Sequence, residues 1–155
     1  MRGFFICYTA PMITPSHIVY NWALGAWLDK RGGAKPGRTW ALVAGGVVPA
    51  LPTYLFFFYH TLILGTSQSY LWDVLYFEPG FNNLVNLSHS LWLWPLLGAV
   101  GYAATRQWLM WLGIGGTIHV ASDFFLHAED AYRHFWPFTD WQWHSPISYW
   151  DPNYY

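Results

Sequence analysis

Charged side chains are scarce in this chain. Among its 155 residues only 10% are charged, whereas 54% are hydrophobic and 22% are aromatic; a soluble domain carries roughly 25% charged residues. The single cysteine, Cys7, excludes an internal disulfide and any multi-cysteine metal site. The formal net charge of −1 leaves no basic surface for nucleic acid. These shortages exclude nucleic-acid-binding and disulfide-stapled classes, and they predict a protein whose main partner is membrane lipid.

Four apolar segments, separated by short polar breaks, predict the fold. They cover about residues 14–28, 40–64, 83–105 and 107–127, and a bilayer core requires about 20 residues per helix. We therefore expect an all-α integral membrane protein with about four transmembrane helices in residues 1–127. Pro49 and Pro52 predict a kink or break in the second segment.

The loops predict an orientation. The connection at residues 29–39 contains Lys30, Arg31, Lys35 and Arg38, whereas the connection at residues 67–81 contains no Lys or Arg. The positive-inside rule places the first connection in the cytoplasm. We therefore expect an inner or intracytoplasmic membrane protein with both termini on the non-cytoplasmic side.

Ionisable side chains recur at helical spacing in the fourth apolar segment. The sequence GGTIHVASDFFLH places His119, Asp123 and His127 four residues apart, on one stripe of a helix. In the predicted topology this stripe lies in the outer half of the membrane. His17 of the first segment lies at a similar depth, as does His89, about 6 residues below the outer end of the third. Polar groups at matching depth predict a shared site between the helices.

Imidazole and carboxylate groups together are typical ligands of Zn, Mn or Fe(II). Three protein ligands with one open position form a catalytic zinc site, which lowers the pKa of bound water to about 7. We therefore predict a divalent metal site, with zinc as the first choice of metal. The alternative for each residue is an interhelical hydrogen bond worth about 0.6 kcal/mol. The predicted ligand set is His17, His89, His119, Asp123 and His127.

The order of these motifs resembles a known family. The segments ITPSHIVYNWALG, AGGVVPALPT, LSHSLWLWPL and IHVASDFFLHAEDAYRHFWPFTDWQWHSPISYWD cover about residues 14–151. They resemble the small inner-membrane, LexA-binding, metal-dependent hydrolase-like proteins. The resemblance implies a four-helix architecture, metal ligands at His17, His89, His119 and Asp123, and His127 as a variant ligand.

The chain departs from that family at two places. The family's acidic Pro-Asp-x-Asp motif is missing, because the corresponding residues are Pro49, Ala50, Leu51 and Pro52. The position of a second histidine found in some members is Leu84. The lost carboxylates would bind a second metal or act as general base. The departure predicts a single metal, with catalysis either retained or lost.

Residues 128–155, which we call the C-terminal strap, differ from the apolar segments. The strap contains ten aromatic residues and three prolines among several charges. Trp and Tyr concentrate at membrane interfaces, so we expect a separate extension anchored on the outer membrane face. In a less favoured interpretation, His134 or His144 covers or completes the metal site. Glu129, Asp130 and Asp151 are expected to be solvated or helix-capping.

A second function class fits the same composition. A compact membrane chain with large aromatic surfaces could be a non-catalytic accessory subunit of a respiratory or photosynthetic complex, and its histidines could ligate a haem or chlorophyll. The two hypotheses differ in geometry. A metal site requires the predicted ligands to converge, whereas an accessory subunit allows them to point apart.

Overall fold

The computed structural model describes residues 13–128 and 131–147, and these residues form helices and loops without strands. The expected all-α class is confirmed for this part of the chain. A 3₁₀ turn at Val48–Ala50 precedes α3, and a π-helix at Tyr59–Ile63 follows it. The α-helices are Ile13–Gly32 (α1), Arg38–Gly45 (α2), Leu51–Phe58 (α3), Gln68–Asp73 (α4), Pro79–Ser88 (α5), Leu93–Ala103 (α6) and Gln107–Leu126 (α7).

Helix α7 is the central element. It packs between α2 and α6, and α1 packs on α2 and reaches α7. Glycines permit the close approach, because a Cβ atom at Gly115 would lie 2.3 Å from the Leu42 carbonyl oxygen and one at Gly113 would lie 2.3 Å from the Gly98 nitrogen. Helices with small residues at the contact pack backbone against backbone. This packing holds the polar half of α7 against α1 and α2.

Two stretches are long and apolar enough to cross a membrane. They are Arg38–Ile63, with a mean hydropathy of 1.8, and Gln107–Leu126, with 1.3. The first contains the break expected near Pro49 and Pro52. Helix α1 has 20 residues but ends in charged side chains and does not reach the same apolarity. The apolar stretch before Ile13, where the first span could begin, lies outside the described residues.

The expected continuous third span is wrong. The chain leaves helical geometry at His89 (φ −101°, ψ 18°), and α6 begins only at Leu93. Pro95 explains the restart, because a proline ring clashes with the carbonyl four residues before it in a continuous helix, but is accommodated in a first turn. The described residues therefore contain two stretches that could span a membrane rather than four.

The loop after α1 is fixed by one buried arginine. Arg38, with a side chain 5% exposed, donates from Nε to Asp29 Oδ1 over 2.8 Å and from a guanidinium nitrogen to the Gly33 carbonyl over 2.8 Å. Thr39 donates its hydroxyl to the other Asp29 oxygen over 2.9 Å. These hydrogen bonds hold the pKa of the Asp29 carboxyl below its ordinary value, and those from Arg38 have the largest effect.

We expect this loop to make stability depend on acidity. A carboxyl with a lowered folded-state pKa stabilises the fold above its unfolded pKa of about 3.9, and the contribution is lost as the pH falls through the folded value. The melting temperature of the wild type should therefore fall more steeply below about pH 4 than that of Asp29→Asn. Equal slopes in thermal melts of the two proteins in the same detergent would contradict this role.

Candidate metal centre

Four imidazoles surround one carboxylate. Asp123 is 1% exposed, and its oxygens lie 3.1 Å from Nε2 of His17 and 3.1 Å from Nε2 of His119. Two further Nε2 atoms lie slightly farther away, at 3.6 Å for His127 and 3.7 Å for His89. All four imidazoles are buried. The structure thus brings together every residue of the predicted ligand set, which we call the His/Asp cluster.

Different elements deliver these side chains. His119 and Asp123 lie one turn apart on α7, and His17 comes from α1. His89 caps the end of α5, and His127 is the first residue after α7, in extended conformation (φ −110°, ψ 129°). His89 therefore reaches the cluster because the third segment breaks, not because a helix passes it.

Three of the five residues of the cluster have ligand atoms that lie close together. Ligand atoms of His17, His119 and Asp123 are within 4.8 Å of one another. A group of this size could hold one metal ion, with His89 and His127 next to it. Within the described residues this is the one group of three or more His, Cys, Asp or Glu side chains that meets this spacing.

The hydrogen bonds of the distal ring nitrogens fix how two of the imidazoles face Asp123. His119 Nδ1 lies 2.8 Å from the Gly46 carbonyl, and His89 Nδ1 lies 2.9 Å from the Val85 carbonyl. Because a carbonyl only accepts, each Nδ1 carries the proton, and each Nε2 of a neutral ring presents a lone pair. A carboxylate also only accepts. Acceptors therefore face acceptors in a buried space, an arrangement that a cation between them would stabilise.

Within the described residues, His17 and Asp123 each present a buried atom without a hydrogen bond. Neither His17 Nε2 nor Asp123 Oδ1 has a hydrogen-bond partner of suitable geometry in the described part of the chain. The ring of His17 stacks on that of His119, with centroids 3.8 Å apart. Two stacked imidazolium rings would repel each other, so protonating every ring is a poor way to supply the positive charge. One divalent ion among the Nε2 atoms would satisfy the acceptors of His89, His119 and Asp123, and carbonyl-bound Nδ1 atoms such as those of His89 and His119 are typical of metal-ligating histidines.

His17 differs from the other imidazoles in its distal partners. Its Nδ1 contacts the hydroxyls of Tyr20 and Ser122, the latter at 3.2 Å, and these two hydroxyls lie 2.6 Å apart. Ser122 also donates to the His119 carbonyl over 2.7 Å. Tyr20 and Ser122 thus orient the His17 ring from α1 and α7, respectively.

Residues 131–147 of the strap pack directly on the broken third segment. Leu91 donates its backbone N–H to the His134 carbonyl over 2.8 Å, and His134 Nδ1 donates to the His89 carbonyl over 2.8 Å. Trp92 Nε1 donates to the Trp136 carbonyl over 2.9 Å. The strap therefore satisfies backbone groups that the break exposes, a role that the sequence did not predict.

The strap also covers the cluster. The Tyr132 ring stacks on His89 with centroids 4.0 Å apart, and it lies 5.1 Å from the His127 ring. His134 is buried and its ring lies 5.8 Å from the Tyr132 ring, whereas His144 is exposed and donates to the Ala128 carbonyl. Of the two histidines considered for completing the site, His134 is the one that is buried and hydrogen-bonded to a residue of the cluster. Glu129, Asp130 and Asp151 lie outside the described residues.

Arg133 fastens the strap to α5. Its guanidinium donates to Asn82 Oδ1 over 2.9 Å and to Asn83 Oδ1 over 2.7 Å, and its backbone N–H donates to Asn86 Oδ1 over 2.7 Å. It also pairs with Asp140, whose side chain is 83% exposed. Sequence reasoning missed Arg133 and Tyr132, since neither belongs to a spaced motif.

We expect Arg133→Ala to loosen the cover. The variant loses the guanidinium contacts to α5, so a chelator should extract metal from the cluster faster, by about tenfold, which is the lower end of the effect of losing a group that supports metal ligands. Asp140→Ala is the matched control, because it removes only the exposed partner of Arg133. The rate of metal release to a chromogenic chelator measures both; identical rates in the wild type and Arg133→Ala would contradict the covering role.

Comparison with family models, with curated proteins and with solved structures finds no match to this chain. The resemblance to inner-membrane hydrolase-like proteins therefore stays a prediction from motifs, and the functional argument depends on the geometry of the cluster.

Proposed function

We propose that this chain is an integral membrane protein whose His/Asp cluster binds one divalent metal ion near the outer face. Zinc is the first choice, and Mn or Fe(II) fits the same ligands. One observation carries the proposal: the acceptor-only Nε2 atoms of His89 and His119 converge on the acceptor-only carboxylate of Asp123. Such an arrangement in a buried space is stabilised by a cation.

A single ion matches the donors. The positions where the resembled family places two carboxylates are Ala50 and Pro52, and Asp123 supplies the carboxylate of the cluster. His17 and His119, each 3.1 Å from Asp123, are the inner ligands. With Asp123 they make three protein ligands and leave one position of a four-coordinate ion open, and His89 and His127 adjoin the ion.

Hydrolysis is the reaction class that this ligand set fits. A bound ion of this kind supplies Lewis acidity and a water activated near neutral pH. Asp123 is committed as a ligand and cannot also serve as base. The nitrogen best placed to take a proton is Nε2 of His127, because this residue lies beyond the end of α7 and 3.6 Å from Asp123.

The membrane part of the proposal extends beyond the two apolar stretches. Helix α1 exposes Val19 and Trp22, and α6 exposes Leu96 and Val100, so both present apolar side chains outward beside those stretches. A broken segment is tolerated at membrane depth where protein satisfies its backbone, and the strap does this for the His89 carbonyl and the Leu91 N–H. We therefore propose four membrane-embedded segments, with residues 29–39 cytoplasmic and both termini outside.

The convergence of four imidazoles on Asp123 favours this proposal over the accessory-subunit alternative. A histidine that ligates a haem or chlorophyll must present a ring nitrogen to a large external group. The imidazoles of the cluster instead direct Nε2 inward, toward Asp123, and each is at most 3% exposed.

A reloading assay tests the hydrolase part. The purified protein is stripped with a chelator, reloaded with Zn²⁺, Mn²⁺ or Fe²⁺, and assayed on phosphate and carboxylate esters with long and short chains. We expect activity to return with one of these metals in the wild type. It should fall in His119→Ala by more than the roughly 10–100-fold that loss of a supporting group costs. A metal-loaded wild type that cleaves none of these esters would contradict hydrolysis and leave metal binding standing.

A further inference from the structure

An open apolar groove of about 370 Å³ lies between α3 and the broken α5–α6 segment. This volume is within the roughly 300–1,000 Å³ of small-molecule sites. Its lining is carbon-rich, with Ser88 as the polar side chain among the lining residues. The lining includes Leu51, Leu55, Leu84, Leu87, Ser88 and Trp94.

The groove and the His/Asp cluster share a wall. Ser88 Oγ lies 3.1 Å from His89 Nδ1, and Trp94 Nε1 donates to the Ser88 carbonyl over 2.7 Å. On its other side the Trp94 ring packs on Gly116, where a Cβ atom would lie 2.2 Å from the ring, and Gly116 precedes His119 by less than one turn of α7. A molecule in the groove therefore lies one side chain away from the cluster.

The surroundings of the groove indicate what kind of molecule it binds. Its rim includes Leu55 and Leu84, which are 60% and 50% exposed. From Leu55 the exposed apolar surface continues along the chain to Phe58 and Leu62. This stretch, Arg38–Ile63, is the more apolar of the two that can cross a membrane. The surface around the groove is thus the surface that lipid chains would contact, and a flexible hydrocarbon chain matches both its lining and its access.

From this continuity we infer that the groove binds an acyl chain of a bilayer lipid and holds it beside the cluster. The inference rests on the proposed function, which it deepens by naming a substrate class: a lipid-like amphiphile whose chain occupies the groove and whose polar part reaches the metal centre. The chain itself takes part in no bond change; it positions the molecule.

Photolabelling in nanodiscs tests this binding. The probe is a phosphatidylglycerol with a diazirine in one acyl chain, diluted in phosphatidylcholine, and labelled residues are located by mass spectrometry. Leu55 and Leu84 lie in the groove, whereas Leu62 and Leu96, exposed by 71% and 53%, lie outside it. We expect several-fold more label at the groove pair than at the outside pair. Equal labelling of the two pairs would overturn the inference.

Filling the groove sharpens the test. Leu87→Trp should lower the label at Leu55 to the level of Leu62 without changing the metal content, and Leu96→Trp is the matched control. Leu51→Trp, at the exposed rim, serves as a second variant that the fold accommodates more easily. Undiminished label at Leu55 in a folded Leu51→Trp protein would overturn the inference. Metal content measured on the same samples separates lipid binding from metal binding. Selective labelling of a wild-type protein that contains no metal after purification with added metal would refute the metal centre alone.

Discussion

We expect Asp123→Asn to lower the bound divalent metal from about one ion per chain to less than about one tenth of that. Asparagine keeps the shape of the side chain but removes the negative charge and replaces one acceptor oxygen with an NH₂ donor. One carboxylate oxygen lies 3.1 Å from His17 Nε2 and the other lies 3.1 Å from His119 Nε2, so the NH₂ group would lie beside one of these two nitrogens.

The same substitution should also raise the stability of the metal-free protein. In the metal-free protein the carboxylate faces lone pairs, whereas the amide of Asp123→Asn can donate to one of them. We therefore expect the metal-free variant to melt at a higher temperature than the metal-free wild type, and at a lower one than the metal-loaded wild type. Misfolding cannot produce this order of melting temperatures.

Asp140→Asn is the control, because Asp140 is exposed and lies away from the cluster. Metal content by mass spectrometry and thermal melts with and without chelator give both readouts. Full metal occupancy in Asp123→Asn, or a metal-free variant less stable than the metal-free wild type, would show that Asp123 is a structural hydrogen-bonding residue and not a ligand.

Gly115→Ala should cost about 1–3 kcal/mol of unfolding free energy. A Cβ atom at this position would lie 2.3 Å from the Leu42 carbonyl oxygen, so α2 must move away from α7. The movement also shifts Gly46, whose carbonyl accepts the His119 Nδ1 proton. We therefore expect weaker metal binding together with lower stability.

Gly80→Ala is a matched control within a helix, since a Cβ atom there meets nothing within 4 Å. It should leave stability unchanged or raise it, by up to about 1 kcal/mol, because alanine favours helix over glycine. Unfolding by denaturant in one detergent compares the two variants. If Gly115→Ala is as stable as Gly80→Ala, α2 and α7 do not pack as closely as the structure places them.

Features that depend on neighbouring residues could be predicted from the sequence. The apolar run predicted α7 to within a residue of its observed end at Leu126. The four-residue spacing of His119 and Asp123 put both on one face, because helical periodicity follows from chain geometry alone. His17 and His89 could be added only through an assumed topology, and their convergence depends on helix packing that no single spacing encodes.

The third segment shows why the rest could not be predicted. Its apolar run predicts a helix through residues 83–105, but the observed break at residues 89–92 is stabilised by strap residues about 45 positions later in the chain. Pro95, in the first turn of α6, is a local signal for the break. The residues that pair with the backbone at the break could not be predicted. The aromatic composition of the strap predicts a location at the membrane interface, but it does not predict the hydrogen bonds of Arg133 or His134.

X-ray absorption spectroscopy of the purified, metal-replete protein tests the central claim most directly. The account predicts one bound divalent ion with nitrogen and oxygen ligands at about 2.0–2.2 Å for zinc, and with outer-shell scattering from at least two imidazoles, which His17 and His119 supply. A spectrum with oxygen ligands alone, or a protein that binds no ion after growth and purification with added metal, would contradict it.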